Sequence, residues 1–196
     1  QQKEKISTAK DVKAPNWNES IKDYCKIIIP DKHYKDLYDT VVRTLMLHTA
    51  DQAYAGPYTY KRFWIRDAVF IAYSLLCAGL KERALKVIET FPHWQHPSGY
   101  FASQDGEWDS NGQVLWVLRK YVELTNNNLD AKWKNIIDKA GRWIIRKRLR
   151  CDKDSPHAGL MPSGFSAEHL GPSDYYYWDN FWSVAGLKSA SFLMKR

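Results

Sequence analysis

Residues 63–79 read FWIRDAVFIAYSLLCAG, and this stretch decides the fold class. From Asp67 to Ala78 nearly every residue is apolar, so the predicted helix has no polar face and should be buried on all sides. Gly79 is a typical helix stop. The apolar stretch is only about a dozen residues long, short of the ~20 that a membrane span requires. We therefore expect a buried helix inside a globular domain and no membrane partner.

The segments around this stretch predict further helices that alternate between amphipathic and mostly apolar. Apolar side chains recur at three- and four-residue spacing after Asp31, which is a natural N-cap. Amphipathic helices are also expected over 81–91 and 133–144, a mostly apolar one after Asp109, and a last one from Asp179. No stretch shows a strand pattern, so the predicted class is all-α.

Paired buried and amphipathic helices are typical of an α/α toroid, in which an inner ring of helices lies inside an outer ring. A single-layer helical solenoid is the alternative. Residues 1–16 are rich in lysine and have no periodicity, so we interpret them as an extended arm. Residues 17–196 then form a single domain of toroid type.

Composition and charge exclude several classes of protein. The chain has 196 residues, 44% hydrophobic and 26% charged, which excludes a disordered or fibrous protein. Its net charge of +7 is spread along the chain, and the basic knot at 142–150 is interpreted as a solvated helix end, so no nucleic-acid partner is predicted. The three cysteines lack CxxC spacing, and the histidines fit no standard metal site. We expect no metal, no cofactor and a reducing compartment such as the cytoplasm.

Nine tryptophans are the strongest compositional signal, and three of them lie at matching places. Trp64, Trp108 and Trp178 each come shortly before an aspartate at a predicted helix start: Asp67, Asp109 and Asp179. One such aspartate is usually an N-cap worth ~1 kcal/mol. Three of them at one end of a toroid predict a pocket of rings and carboxylates. Such a pocket suits a sugar, and two carboxylates can cleave a glycosidic bond.

These motifs resemble a known family. The run Trp64-Ile65-Arg66-Asp67 resembles the Trp-x-Arg-Asp segment of glucoamylases, and Tyr176-Tyr177-Trp178-Asp179 is similar to motifs of trehalases and glycogen debranching glucosidases. All belong to the six-hairpin (α/α) glycosidase superfamily. The resemblance covers about residues 56–190 in motif order.

The resemblance implies a role for each matching residue. Arg66 and Asp67 would hold the hydroxyls of the terminal sugar, and Trp108 and Asp109 would line the pocket beside them. Asp179 looks like the general acid, although this chain has Asp-Asn where glucoamylases have two glutamates. The stacking walls would be formed by four rings: Trp64, Trp108, Tyr177 and Trp178.

The superfamily builds its barrel from twelve helices and takes its general base from the second half. About six helices are predicted here, so the chain resembles half of an (α/α)6 barrel, the N-terminal half of a larger catalytic domain. Glu107 and Glu168 are the nearby carboxylates that could replace the base, and each could instead contact sugar.

We therefore expect a domain that binds or hydrolyses α-glucosidic ends of oligosaccharides by an inverting mechanism. The 196-residue chain alone is expected to be catalytically incompetent. A second copy or the missing half would cover its open flank.

Two other function classes remain open. One is a non-catalytic module that binds glycans or assembles with another chain. The other is a toroid like that of terpene cyclases, which Arg66 beside Asp67 and the polar 106–113 segment argue against because that pocket should be drier.

Overall fold

The computed structural model of the chain describes residues 16–151, 155–165 and 172–196. Within these ranges it contains seven α-helices, one 3-10 turn at Phe91–Trp94, and isolated bridges but no strand. The predicted all-α class is confirmed. Apart from its last residue, the arm predicted over 1–16 lies outside the described residues. The helices are α1 (Trp17–Ser20), α2 (Lys32–His48), α3 (Ile65–Cys77), α4 (Lys81–Ile88), α5 (Ser110–Thr125), α6 (Lys132–Lys147) and α7 (Tyr177–Leu193).

The helices pack in two rows. α5 packs against α3 on one side and α7 on the other, so these three form one row in chain order. α4 packs on α3 and α5, α6 packs on α5 and α7, and α2 packs on α3, which gives a second row behind the first. None of the helices in the described ranges is long and apolar enough to cross a membrane.

Two residues of α5 allow it to pack in the centre of the helix arrangement: a glycine at a close crossing, and a buried asparagine whose side-chain oxygen and nitrogen are both hydrogen-bonded. At Gly112 a Cβ would collide with the backbone of Trp182, so the glycine lets α5 and α7 cross closely. Asn111 is fully buried, donates to the carbonyls of Gly99 (2.9 Å) and Ala140 (3.1 Å), and accepts from the Phe101 N–H (2.8 Å). These bonds fix α5 against α6 and against the segment that precedes its own start.

The prediction that the 67–78 helix is buried on all sides is wrong. α3 exposes Phe70, Ser74 and Cys77, which lie along one stripe of the helix. Phe70 packs edge-on against Trp182 of α7 and tilted against Trp116 of α5, and still keeps 39% of its surface exposed. Aromatic rings of two neighbouring helices therefore cover part of Phe70, while Ser74 and Cys77 are exposed.

Candidate functional site

The N-terminal ends of α3, α5 and α7 meet around the carboxylate of Asp109. Its Oδ2 accepts hydrogen bonds from Arg66 Nε (3.0 Å), Trp178 Nε1 (2.6 Å) and Gln113 Nε2 (2.7 Å). Arg66 lies in the first turn of α3 and Trp178 in the first turn of α7. The three helix starts singled out in the sequence therefore lie together, joined by a carboxylate that is only 1% exposed.

The aspartates at these starts do not act as simple helix caps. Asp109 occupies the N-cap position of α5 but makes no side-chain capping bond. Asp67 and Asp179 are the third residues of their helices, behind the capping residues Trp64 and Tyr176. For Asp109, the three donors of neighbouring side chains, rather than a capping bond, account for the aspartate at this position.

Glu107 is a second buried carboxyl beside Asp109, with 3% of its surface exposed. Its Oε2 accepts from Trp64 Nε1 at 3.1 Å, and its Oε1 lies 3.7 Å from Arg66 Nη2. Burial raises the pKa of Glu107 to about 7; the Asp109 carboxylate also raises it, while Arg66 and the Trp64 indole act in the opposite direction. Near neutral pH, Glu107 is therefore present in both its protonated and its ionised form.

Arg66 connects both carboxylates to the surface. Its side chain is 17% exposed, and its guanidinium faces Asp109 and Glu107 on the inside. Burial by itself lowers the pKa of Arg66, but the Asp109 carboxylate, helped by Glu107 and Asp67, more than reverses this and leaves it raised. Arg66 is thus a permanent cation held beside two buried carboxyl groups, with part of its side chain at the surface.

Two of the four predicted stacking rings lie at the surface of this site. Trp178 keeps 38% of its area exposed while its indole N–H is fixed on Asp109, and the Arg66 guanidinium lies 5.9 Å from its ring centroid. Tyr177 is 74% exposed and stacks on Phe181. A rigid, half-exposed indole such as Trp178 is suited to stacking on the apolar face of a ligand.

The rings of Trp64 and Trp108 already have partners. The Arg62 guanidinium lies 3.9 Å from the centroid of Trp64, and Lys147 Nζ lies 3.8 Å from that of Trp108. Trp108 also donates its indole N–H to the carbonyl of Ser163 (3.0 Å) and so holds that segment against the start of α5. Stacking on a ligand by these two rings stays a prediction, and for Trp64 it would require Arg62 to move.

Asp179, the predicted general acid, is 0% exposed in the first turn of α7. The neighbouring Asn180 accepts from the Met161 N–H (3.0 Å) and donates to the Tyr176 carbonyl (2.8 Å). Asn180, where glucoamylases have a second glutamate, thus fixes the long loop to the start of α7. Glu168 lies outside the described residues.

Sequence reasoning missed several residues that build the site. Gln113 donates to Asp109 from one turn further along α5, and the four-residue spacing between them was a signal that could have found it. Arg62 bonds Gln104 Oε1 at 2.5 Å and covers Trp64. No local pattern marks Arg62, because its partners come from other parts of the chain.

In the described ranges no group of three or more His, Cys, Asp or Glu side chains is arranged to hold a metal ion. Comparisons with protein-family models, with curated proteins and with solved structures give no match to this chain.

Proposed function

We propose that this chain is a glycosidase-type domain that binds the α-glucosidic ends of oligosaccharides at the meeting point of α3, α5 and α7. The observation that carries the proposal is the Asp109 cluster. One buried carboxylate fixes an arginine whose side chain is 17% exposed, Arg66, and a half-exposed indole, Trp178, at neighbouring helix starts. A fixed cationic donor beside a fixed flat ring can bond sugar hydroxyls and stack on a sugar face at once.

The order of helix packing supports a toroid as the larger architecture. α3, α5 and α7 would be inner helices, and α2, α4 and α6 outer ones, which gives three hairpins or half of a six-hairpin ring. The half-open aromatic face formed by Phe70, Trp116 and Trp182 would then point to the centre of the ring.

Within this proposal Asp179 protonates the leaving oxygen, and a carboxylate outside the described residues activates the attacking water. Because Asp179 is fully buried, a ligand has to displace the side chains above it before proton transfer can occur.

Binding can be tested by isothermal titration with maltotriose and with acarbose, using wild type and the Arg66→Lys variant. Lysine keeps the charge but loses the fork that reaches Asp109 and a ligand together, so we expect at least about a tenfold loss of affinity. Arg142→Lys is the matched control, because Arg142 is exposed and its ion pair within the described ranges is with Asp138 on the same helix.

Two outcomes of this titration count against the proposal. One is no heat from either sugar with a folded wild-type chain. The other is an equal loss of affinity in Arg66→Lys and Arg142→Lys. Binding of a farnesyl analogue in place of sugars would favour the terpene-cyclase-like alternative.

A non-catalytic glycan-binding module is the second candidate, and the burial of the carboxyl groups favours it. Glu107, Asp109 and Asp179 are 3%, 1% and 0% exposed, so none of them is open to a substrate in this conformation. Turnover of an aryl α-glucoside separates the two. Hydrolysis that is lost in Asp179→Asn while sugar binding is kept supports the enzyme, and binding without turnover supports the module or an incomplete enzyme.

A further inference from the structure

Two carboxyl groups share one guanidinium at the start of α5, and they share it unequally. Asp109 takes the close contact with Arg66 (3.0 Å), and it accepts two further donors at the same oxygen. Glu107 lies 3.7 Å from Arg66, beyond hydrogen-bond distance, and its side chain accepts a hydrogen bond only from the Trp64 indole among the contacts of the described chain. Two neighbouring buried carboxylates with one shared cation repel each other, so a proton is held on the less well solvated one.

The surroundings of Glu107 identify it as the group that holds this proton. The charged groups that face it are Arg66 of α3, Arg62 of the segment before α3, and Asp109. The phenol of Tyr100 donates to the backbone carbonyls of Glu107 (3.0 Å) and Gln104 (3.1 Å) rather than to the Glu107 carboxyl. From α7, the uncharged indole of Trp178 reaches the pair through Asp109. Burial favours the protonated form of Glu107, whereas Arg66 and Arg62 favour the ionised form. Its pKa of about 7 is therefore higher than that of an exposed glutamate, but lower than that of a buried glutamate with no cation nearby.

We propose that Glu107 is a positioning residue of the site: its carboxylate form holds the Trp64 indole and the Arg66 guanidinium more firmly at the start of α5 than its neutral form does. The neutral form ionises across neutral pH. The proton passes to solvent, and no other bond changes. The ionised carboxylate makes its bond from the Trp64 indole charge-assisted, and therefore shorter and stronger. It also gives Arg66 Nη2 a second anionic partner on the inner side.

This inference rests on the proposed function for the nature of the ligand, but its test requires no ligand, so the two can fail separately. The experiment is a ¹H–¹⁵N NMR titration of the tryptophan indole N–H groups from pH 5 to 9 on the full chain. The Trp64 resonance is assigned from its loss in Trp64→Phe. We expect it to move downfield with an inflection near pH 7.

Variants separate a titrating Glu107 from a merely structural one. In Glu107→Gln, which keeps the shape and an acceptor oxygen, the pH-dependent shift of the Trp64 resonance should disappear. In Asp109→Asn the inflection should move to lower pH, because the repelling charge is gone. Glu123→Gln, an exposed carboxyl paired on its own helix, should leave the titration unchanged.

A Trp64 indole resonance that stays constant from pH 5 to 9 in the folded wild type overturns the proposal. So does an inflection that persists in Glu107→Gln. If Asp109→Asn fails to fold, the titrations of the wild type and of Glu107→Gln together decide the question.

Discussion

At the scale of single residues, two buried carboxyl groups have opposite effects on the candidate site. Asp109 holds its side chains together, whereas ionised Glu107 lowers the stability of the fold around it. Asp109 compensates its burial with three donors, whereas Glu107 has one indole bond and a distant guanidinium. The sequence predicted that Arg66, Asp109 and Trp178 belong together, and the structure brings them within hydrogen-bond distance. It did not predict that the pKa of Glu107 would be raised, because that depends on burial by distant segments.

The stability of the chain should depend on pH through Glu107. In the unfolded chain this carboxyl loses its proton near its ordinary pKa of 4.5, but in the folded chain only near 7. Between these values the folded state binds more protons, so the free energy of unfolding falls as pH rises, by about 3 kcal/mol in total.

Glu107→Gln has no carboxyl to ionise at this position, so its free energy of unfolding should not fall in this way as pH rises. We expect its stability advantage over wild type to grow from pH 4 to pH 8 in urea unfolding followed by circular dichroism. The exposed Glu123→Gln serves as the control. A stability advantage that is the same at pH 4 and pH 8 would contradict the raised pKa of the buried Glu107 carboxyl.

At the scale of elements, glycines set how closely the helices approach. Gly112 of α5 and Gly141 of α6 are both buried helix residues, but their surroundings differ. A Cβ at Gly112 would collide with the carbonyl of Trp182, whereas one at Gly141 would make ordinary contacts of 3.9 Å with Ala190 and Leu187. Helical periodicity predicted both helices and could not distinguish these two glycines.

Gly112→Ala should therefore destabilise the chain by about 2 kcal/mol or more, because backbone atoms of α7 cannot move aside cheaply. Gly141→Ala should be neutral or stabilise by up to about 1 kcal/mol, because alanine is the better helix former. Thermal unfolding of the two variants beside wild type provides the comparison. Equal effects would contradict the close crossing of α5 and α7.

At the scale of the whole molecule, the two ends of the helix arrangement keep apolar residues exposed. On α7, Tyr177, Phe181 and Val184 are 74%, 70% and 53% exposed and lie along one stripe. On α2, Tyr34, Leu37 and Val41 are similarly open. Exposed stripes of this kind on terminal helices are typical of surfaces that meet another helix, as the half-toroid proposal requires.

We expect the chain to associate as its concentration rises, and Phe181→Glu to weaken that association by placing a charge in the apolar stripe. Sedimentation velocity over a concentration series measures the effect. Tyr58→Glu is the matched control, since Tyr58 is 88% exposed but lies in the loop before α3. A wild-type chain that stays monomeric at every concentration would argue against an interface between copies at this flank.

The sequence by itself determined the helical class, the N-cap at Asp31 and the three aromatic–aspartate helix starts, because these depend on periodicity and on neighbouring residues. Only the tertiary structure decided which carboxylate collects the donors, that Glu107 is buried beside it, and that Lys147 and Arg62 cover two of the rings. The bonds responsible join residues 43 and 69 positions apart. Desolvation and the sharing of donors arise only when such distant segments are packed together, so no local pattern could reveal them.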